Sequence, residues 1–275
     1  MNERTFFFVF FLLLGCTSGA QEPADGLPSW EEETEDSISA LLIKPIRKPE
    51  RLLRQIIMRL GYDAEKKHEV GLYKVDATFN QDYLVPFSAS LLFTAEAGVG
   101  LEKVKVEEFS YYGTYELSQR DSGQITGHLL QFATLSPVHA HKALYGYEAM
   151  SPLMNAKETL RCYDVTADSI ADAKGRTVLR FRFSWKEKQR KDFDWGRYQG
   201  HIAGTAYFDS RSLAIRQFKG EAHLPSLKYI THLNYRVIYG RREGQPVVRH
   251  ISVDGEKEDM QMKATVQAPR PDSTP

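Results

Sequence analysis

Apolar residues recur at two different periods along this chain, and the change from one to the other divides it. Between Pro49 and Gly61, residues Leu52, Leu53, Ile56, Ile57 and Leu60 fall at helical spacing, with Arg51, Arg54 and Arg59 on the remaining face. The spacing predicts a helix with Pro49 in its first turn and Gly61 as its stop, its apolar stripe packed on a sheet. From Glu69 onward the period is two: residues 72–79, the small apolar stretch 88–94 and the charged alternation 103–107 read as strands. Gly98-Val99-Gly100 and Asp121-Ser122-Gly123 fall between runs as turns, so an antiparallel meander is the economical connection.

Residues 127–160 are less regular, with Pro137 and Pro152, and short helices are expected near 138–144 and 151–157. The C-terminal half alternates most clearly. In residues 178–185, Leu179, Phe181, Phe183 and Trp185 share one face, while Arg180, Arg182 and Ser184 share the other: a strand with one buried and one wet side. Residues 201–208, a turn at Asp209-Ser210-Arg211-Ser212, residues 213–218, residues 233–239, a turn at Arg242-Glu243-Gly244 and residues 247–253 continue as consecutive hairpins. The pattern is that of one β-rich α+β domain over 38–267, followed by a polar, proline-containing tail over 268–275 expected to be disordered.

The extreme N-terminus follows neither period. An apolar run from Phe6 to Leu14 ends in Gly15-Cys16, followed by Thr17-Ser18-Gly19-Ala20-Gln21. Residues 1–20 read as an export signal, and Leu13-Leu14-Gly15-Cys16 looks like a lipobox in which Cys16 becomes the acylated first residue. Ser18-Gly19-Ala20 offers a rival cleavage before Gln21 that would release a soluble protein. The run is about half the roughly 20 residues a spanning helix needs. Residues 21–37, with the block Glu31-Glu32-Glu33-Thr34-Glu35-Asp36, read as an acidic flexible linker. The expected location is the cell envelope of a Gram-negative bacterium, as an outer-membrane lipoprotein or in the periplasm.

Composition narrows the partners. Acidic and basic residues balance at 36 each, leaving no basic field to draw in nucleic acid. Of two cysteines, Cys16 is consumed or removed in processing, so Cys162 stands alone and neither an internal disulfide nor a cysteine-based zinc site is expected. Beside Arg161, Cys162 reads as a small core hydrophobe rather than a nucleophile.

Motifs for catalysis are few. His139-Ala140-His141 places two imidazoles on one side of an extended segment, with His128 or Glu148 as a possible third metal ligand, and a metal-dependent hydrolase is the reading this would support. The default for both is surface histidines in a loop, and the remaining histidines are dispersed along the sequence. There is no G-x-S-x-G elbow around Ser136, no Walker loop, and Gly98-Val99-Gly100 lacks the rest of a dinucleotide fingerprint. Glu107-Glu108 and the Asp192/Asp194 pair read as solvated. No enzyme activity and no cofactor are expected.

Tyr198-Gln199-Gly200-His201-Ile202-Ala203-Gly204-Thr205-Ala206-Tyr207-Phe208-Asp209-Ser210-Arg211-Ser212-Leu213-Ala214-Ile215 resembles the G-x-x-Y-x-D-x-x-(S/T)-x-A-I hairpin of the outer-membrane lipoprotein-sorting proteins of the LolA/LolB kind. It is also similar to Bacteroidetes envelope proteins described as carboxypeptidase-like regulatory-domain proteins. Tyr235-Arg236-Val237-Ile238-Tyr239 followed by Pro246-Val247-Val248 fits the same pattern, so the resemblance covers about the last third of the chain and, weakly, the Leu52 to Leu60 helix. It lacks the N-terminal regulatory β-sandwich of many Bacteroidetes relatives and adds the irregular 127–160 zone.

The resemblance implies a curled antiparallel β-sheet, an incomplete barrel, with the N-terminal helix packed on its concave face, a shape that in the lipoprotein carriers encloses acyl chains. On that reading Leu53, Ile56, Ile57, Phe181, Phe183, Trp185, Tyr235 and Tyr239 line an apolar pocket for a lipid or lipoprotein acyl chain. Phe109, Tyr111, Tyr112, Tyr115 and Tyr207 read equally as sheet-forming aromatics. Arg180, Arg182, Arg216 and Arg236 either face solvent or line an anionic rim. The expected function is non-catalytic binding of an apolar ligand; the alternative is a structural lipoprotein docking an outer-membrane protein complex.

Overall fold

In the computed structural model the described residues are 44–66, 69–81, 84–134, 137–138, 149–171, 175–186, 200–223, 232–257 and 260–268. The signal and lipobox with Cys16, the acidic linker, the tail beyond 268, and His139 and His141 lie outside them.

Among the described residues eleven strands form one unbroken order in a single sheet: β1(Lys44–Pro45), β6(Tyr163–Ala171), β7(Thr177–Trp185), β8(Gly200–Asp209), β9(Ile215–His223), β10(His232–Arg242), β11(Gln245–Lys257), β12(Met260–Gln267), β2(Val70–Gln81), β3(Leu84–Ala97) and β4(Leu101–Tyr112). A short β5(Ala149–Met150) pairs in parallel with β8. The other pairings are antiparallel, and the first and last strands do not meet, so the sheet curls without closing. Two meanders are thereby fused. The alternating runs of residues 72–107 form β2 to β4, those of residues 178–253 form β7 to β11, and β12 joins the halves by pairing with β2, Ala264 opposite Ala77.

The hairpins obey local turn chemistry. Between β10 and β11, Glu243 and Gly244 both have positive φ, at 49° and 77°, the geometry that matches the twist of flanking strands. Between β8 and β9, the Asp209 carboxylate accepts from the backbone N–H groups of Arg211 (3.1 Å) and Ser212 (2.8 Å) and from the Ser212 hydroxyl (2.9 Å). Arg216 donates to its other oxygen at 2.8 Å. The aspartate of the resemblance motif is therefore the fastening of its turn.

Both free edges are blunted. β1 is two residues long and includes proline, while β4 presents Lys103, Lys105, Glu107 and Glu108 and departs from regular register against β3 in two places.

Among the described residues three helices fill the hollow. In α1(Pro49–Ala64), Leu53, Ile56 and Leu60 are fully buried against α3(Ala156–Cys162) and β6, with Leu52 and Ile57 half-buried beside them. This is the expected helix on the concave face. Gly61 is not its stop: the helix runs one further turn to Ala64, where the Glu65 N–H donates to the Gly61 carbonyl at 3.1 Å. The extension is held by the buried Asp63 carboxylate, which accepts from Arg59 one turn earlier at 3.0 Å.

A second departure is α2(Gln119–Ala133), which packs on β2, β3, β4, β11 and β12 and occupies the site expected for a turn at Asp121-Ser122-Gly123. Ser118 decides it. Its hydroxyl accepts from the Asp121 N–H at 3.2 Å and donates to the Asp121 carboxylate at 2.5 Å, a reciprocal N-terminal cap, while Ile125, Leu129 and Ala133 follow at helical spacing into the core. The same signal opens α3, where Asn155 accepts from Lys157 and Glu158, so that helix begins later than the expected 151–157.

Candidate functional site

The concave face is built from alternate residues of the central strands, and their ring contacts fall into two groups. Phe181 lies 6.3 Å from Phe183 and 5.9 Å from Phe208, Tyr163 meets Phe183 edge-on at 6.4 Å and Trp185 at 5.2 Å, and Phe218 lies 5.5 Å from Tyr235. Of the eight pocket candidates, Leu53, Ile56, Phe181, Phe183, Tyr235 and Tyr239 are buried in one cluster. Ile57 and Trp185 pack against it half-buried. The fold thus gathers residues from α1, β7 and β10 that lie far apart in the sequence.

Within this apolar surface the tyrosine hydroxyls mark the polar points. Tyr163 donates to the Met150 carbonyl at 2.8 Å, Tyr239 to the Val99 carbonyl at 3.4 Å, and Tyr73 to the Val248 carbonyl at 3.4 Å. Burial raises the pKa of Tyr73 to about 12. Tyr235, 3% exposed, differs: its hydroxyl makes no hydrogen bond among the described residues. Burial first, and then the neighbouring Tyr239 and Tyr163 oxygens, hold its pKa well above the usual phenol value, so it stays a protonated donor.

The arginines do not form a rim for an anion. Arg180 grips Asp168 through two bonds of 2.9 and 3.0 Å, and Arg182 adds a third at 3.0 Å. Arg216 pairs with Asp209. In the amide orientation that satisfies both groups, Gln217 accepts from Arg236. Burial raises the carboxyl pKa of Asp168 and Asp209, but their hydrogen bonds outweigh it and the net shift is downward in both.

Cys162 is fully buried at the end of α3, and burial pushes its thiol pKa up against the weaker opposite pull of Arg161, as befits a packing residue.

The histidines are less scattered than their sequence positions indicate. His201 stands directly opposite His223, and His223 opposite His232, so three imidazoles from β8, β9 and β10 form one row across the sheet. The Trp185 ring lies flat on His201, with centroids 4.3 Å apart, and continues the row to the rim of the aromatic cluster. The signal was present in the sequence, since His201 and His223 are equidistant from Ser212 in the turn, but it is visible only once the hairpin register is known. Among the described residues no group of three or more His, Cys, Asp or Glu is placed to hold a metal ion.

No protein-family model and no curated protein matches the chain. Among solved structures it is similar to the crystal structure of a DUF1329 family protein from Desulfovibrio piger, with 8% identity and a TM-score of 0.35 over 82% of this chain and 95% of that one. The class that the fold itself defines is a curled, open antiparallel sheet with helices in its hollow. No helix among the described residues is long and apolar enough to cross a membrane.

Proposed function

We infer that this is a non-catalytic binding protein of the bacterial cell envelope, exported by its N-terminal signal and held by an acyl anchor on Cys16 or released before Gln21. It takes a lipid or lipoprotein acyl chain against the concave face. The observation that carries this reading is the Tyr235 hydroxyl, a buried donor without a hydrogen bond among the described residues, set in the apolar cluster that the central strands share with α1. A buried hydroxyl left unbonded costs on the order of 1–3 kcal/mol, a cost a fold retains where the group serves a ligand. A carbonyl or carboxylate at the head of an acyl chain would accept from it while the chain lay on Phe181, Phe183 and Phe218. The β8–β9 hairpin resembles that of the lipoprotein-sorting proteins, whose curled sheet encloses acyl chains; the motif itself specifies the hairpin and not the chemistry.

The test is native mass spectrometry, with lipid extraction, of the chain purified after export into a bacterial periplasm, together with titration by a fluorescent fatty acid. An acyl lipid is expected to co-purify with the wild type, and the fatty acid to bind more weakly to Tyr235→Phe. Protein of unliganded mass that also fails to bind the fatty acid would overturn the reading.

A further inference from the structure

We propose that His223 and His232 form a binding site for a late first-row divalent metal ion, copper(II) or zinc(II), on the convex face of the sheet. Both side chains lie on the face opposite the core, since their strand neighbours Ala222 and Leu233 are buried in it, and antiparallel register sets them directly across from each other. Their ring centroids are 4.4 Å apart. His223 Nδ1 is 3.3 Å from His232 Nδ1 and 3.1 Å from its Nε2.

Those separations match what a metal requires. Two imidazole nitrogens bound at about 2.0–2.1 Å in a tetrahedral site stand about 3.3–3.4 Å apart, and slightly closer where the angle narrows toward the square-planar arrangement copper(II) prefers. In this structure the two rings are within hydrogen-bond distance of each other, and chelation replaces the shared proton with the metal. The backbone has already fixed both Cα positions, so little ordering remains to be done on binding.

The ligand chemistry selects the ion. Neutral imidazoles favour copper(II), nickel(II) and zinc(II) over magnesium or calcium, and the order of affinities places copper(II) highest. Among the described residues no third His, Cys, Asp or Glu converges on the pair, so the ligands they supply are two imidazole nitrogens. His201, 5.2 Å beyond His223 and stacked on Trp185, flanks the pair and limits the ring positions open to His223. The pair lies on the sheet face opposite Ala222 and Leu233, and the proposal does not depend on the acyl-binding reading.

The experiment titrates the metal-stripped full chain with copper(II) and with zinc(II), and counts bound imidazoles by electron paramagnetic resonance of the copper form. One equivalent carrying two imidazoles is expected. His223→Gln and His232→Gln should each weaken binding by more than about tenfold and remove one imidazole from the spectrum, whereas His139→Ala/His141→Ala should leave both unchanged. Far-UV circular dichroism of the variants checks that the sheet is intact. Absence of stoichiometric binding would overturn the proposal, as would binding that survives both glutamine variants or is lost in the His139→Ala/His141→Ala variant.

Discussion

Gly204 of β8 and Gly220 of β9 face each other across the sheet, and neither has room for a side chain: a Cβ on Gly204 would strike the backbone of Lys219 and Gly220, and one on Gly220 would strike the Ala203 carbonyl and the Phe218 ring. Gly204 also has a φ of +146°, which side chains rarely adopt, and it lies opposite Phe183. The pair lets the two backbones approach closely opposite Phe183 and beside Phe218.

Gly204→Ala should therefore destabilise the fold by about 2–4 kcal/mol, combining backbone strain with a clash that no flexible side chain can relieve. Gly61→Ala provides the contrast. It lies within α1 with nothing near the added methyl, and should stabilise by up to about 1 kcal/mol. Urea denaturation of the two variants checks both signs.

Tyr235→Phe should leave the unliganded protein as stable as the wild type or more stable by about 1 kcal/mol, because the hydroxyl removed has no hydrogen bond among the described residues. Tyr163→Phe should instead cost about 1–2 kcal/mol, since it strands the Met150 carbonyl in the core. Thermal unfolding of the two variants separates the tyrosine without a hydrogen bond among the described residues from the one that holds the fold.

Acid should weaken the fold through Asp168 and Asp209. Their folded pKa values lie below the unfolded value of about 3.9, so their contribution is complete above that pH and is lost as pH falls through the folded pKa values. Asp168→Asn should cost about 2–3 kcal/mol at pH 7, leaving Arg180 with one partner fewer, and should flatten the loss of stability below pH about 4. Denaturation midpoints from pH 7 down to pH 2 check this.

His250 acts at a higher pH. Burial lowers its pKa, helped by the nearby Arg236 charge, so the folded chain holds it neutral while the unfolded chain takes up a proton near pH 6.5. Stability should fall as pH drops below about 6.5, and the fall should end below the folded pKa. His250→Gln should remove that part of the dependence; parallel pH titrations of stability in wild type and variant measure it.

Local pattern carried much of the architecture. Alternation alone placed Leu179, Phe181 and Phe183 on one side of β7 with Arg180 and Arg182 on the other, and the helical spacing of Leu53, Ile56 and Leu60 located α1, because burial of one face imposes its period on the residues themselves. Local composition does not reveal α2, because Asp121-Ser122-Gly123 has turn composition. Only the cap made by Ser118 and the burial of Ile125 and Leu129 convert it to a first helical turn.

What the sequence by itself determined was therefore the identity of most strands, the helix α1, the turn chemistry at Asp209 and Gly244, and the apolar residues available for a core. Tertiary structure alone decided how these meet. It set β12 beside β2 to join the two meanders, gave Arg180 and Arg182 to Asp168 instead of to an anionic rim, left the Tyr235 hydroxyl without a hydrogen bond among the described residues, and brought His223 opposite His232. Periodicity records which face of an element is buried, whereas pairing and register depend on the summed packing of residues distant in the chain.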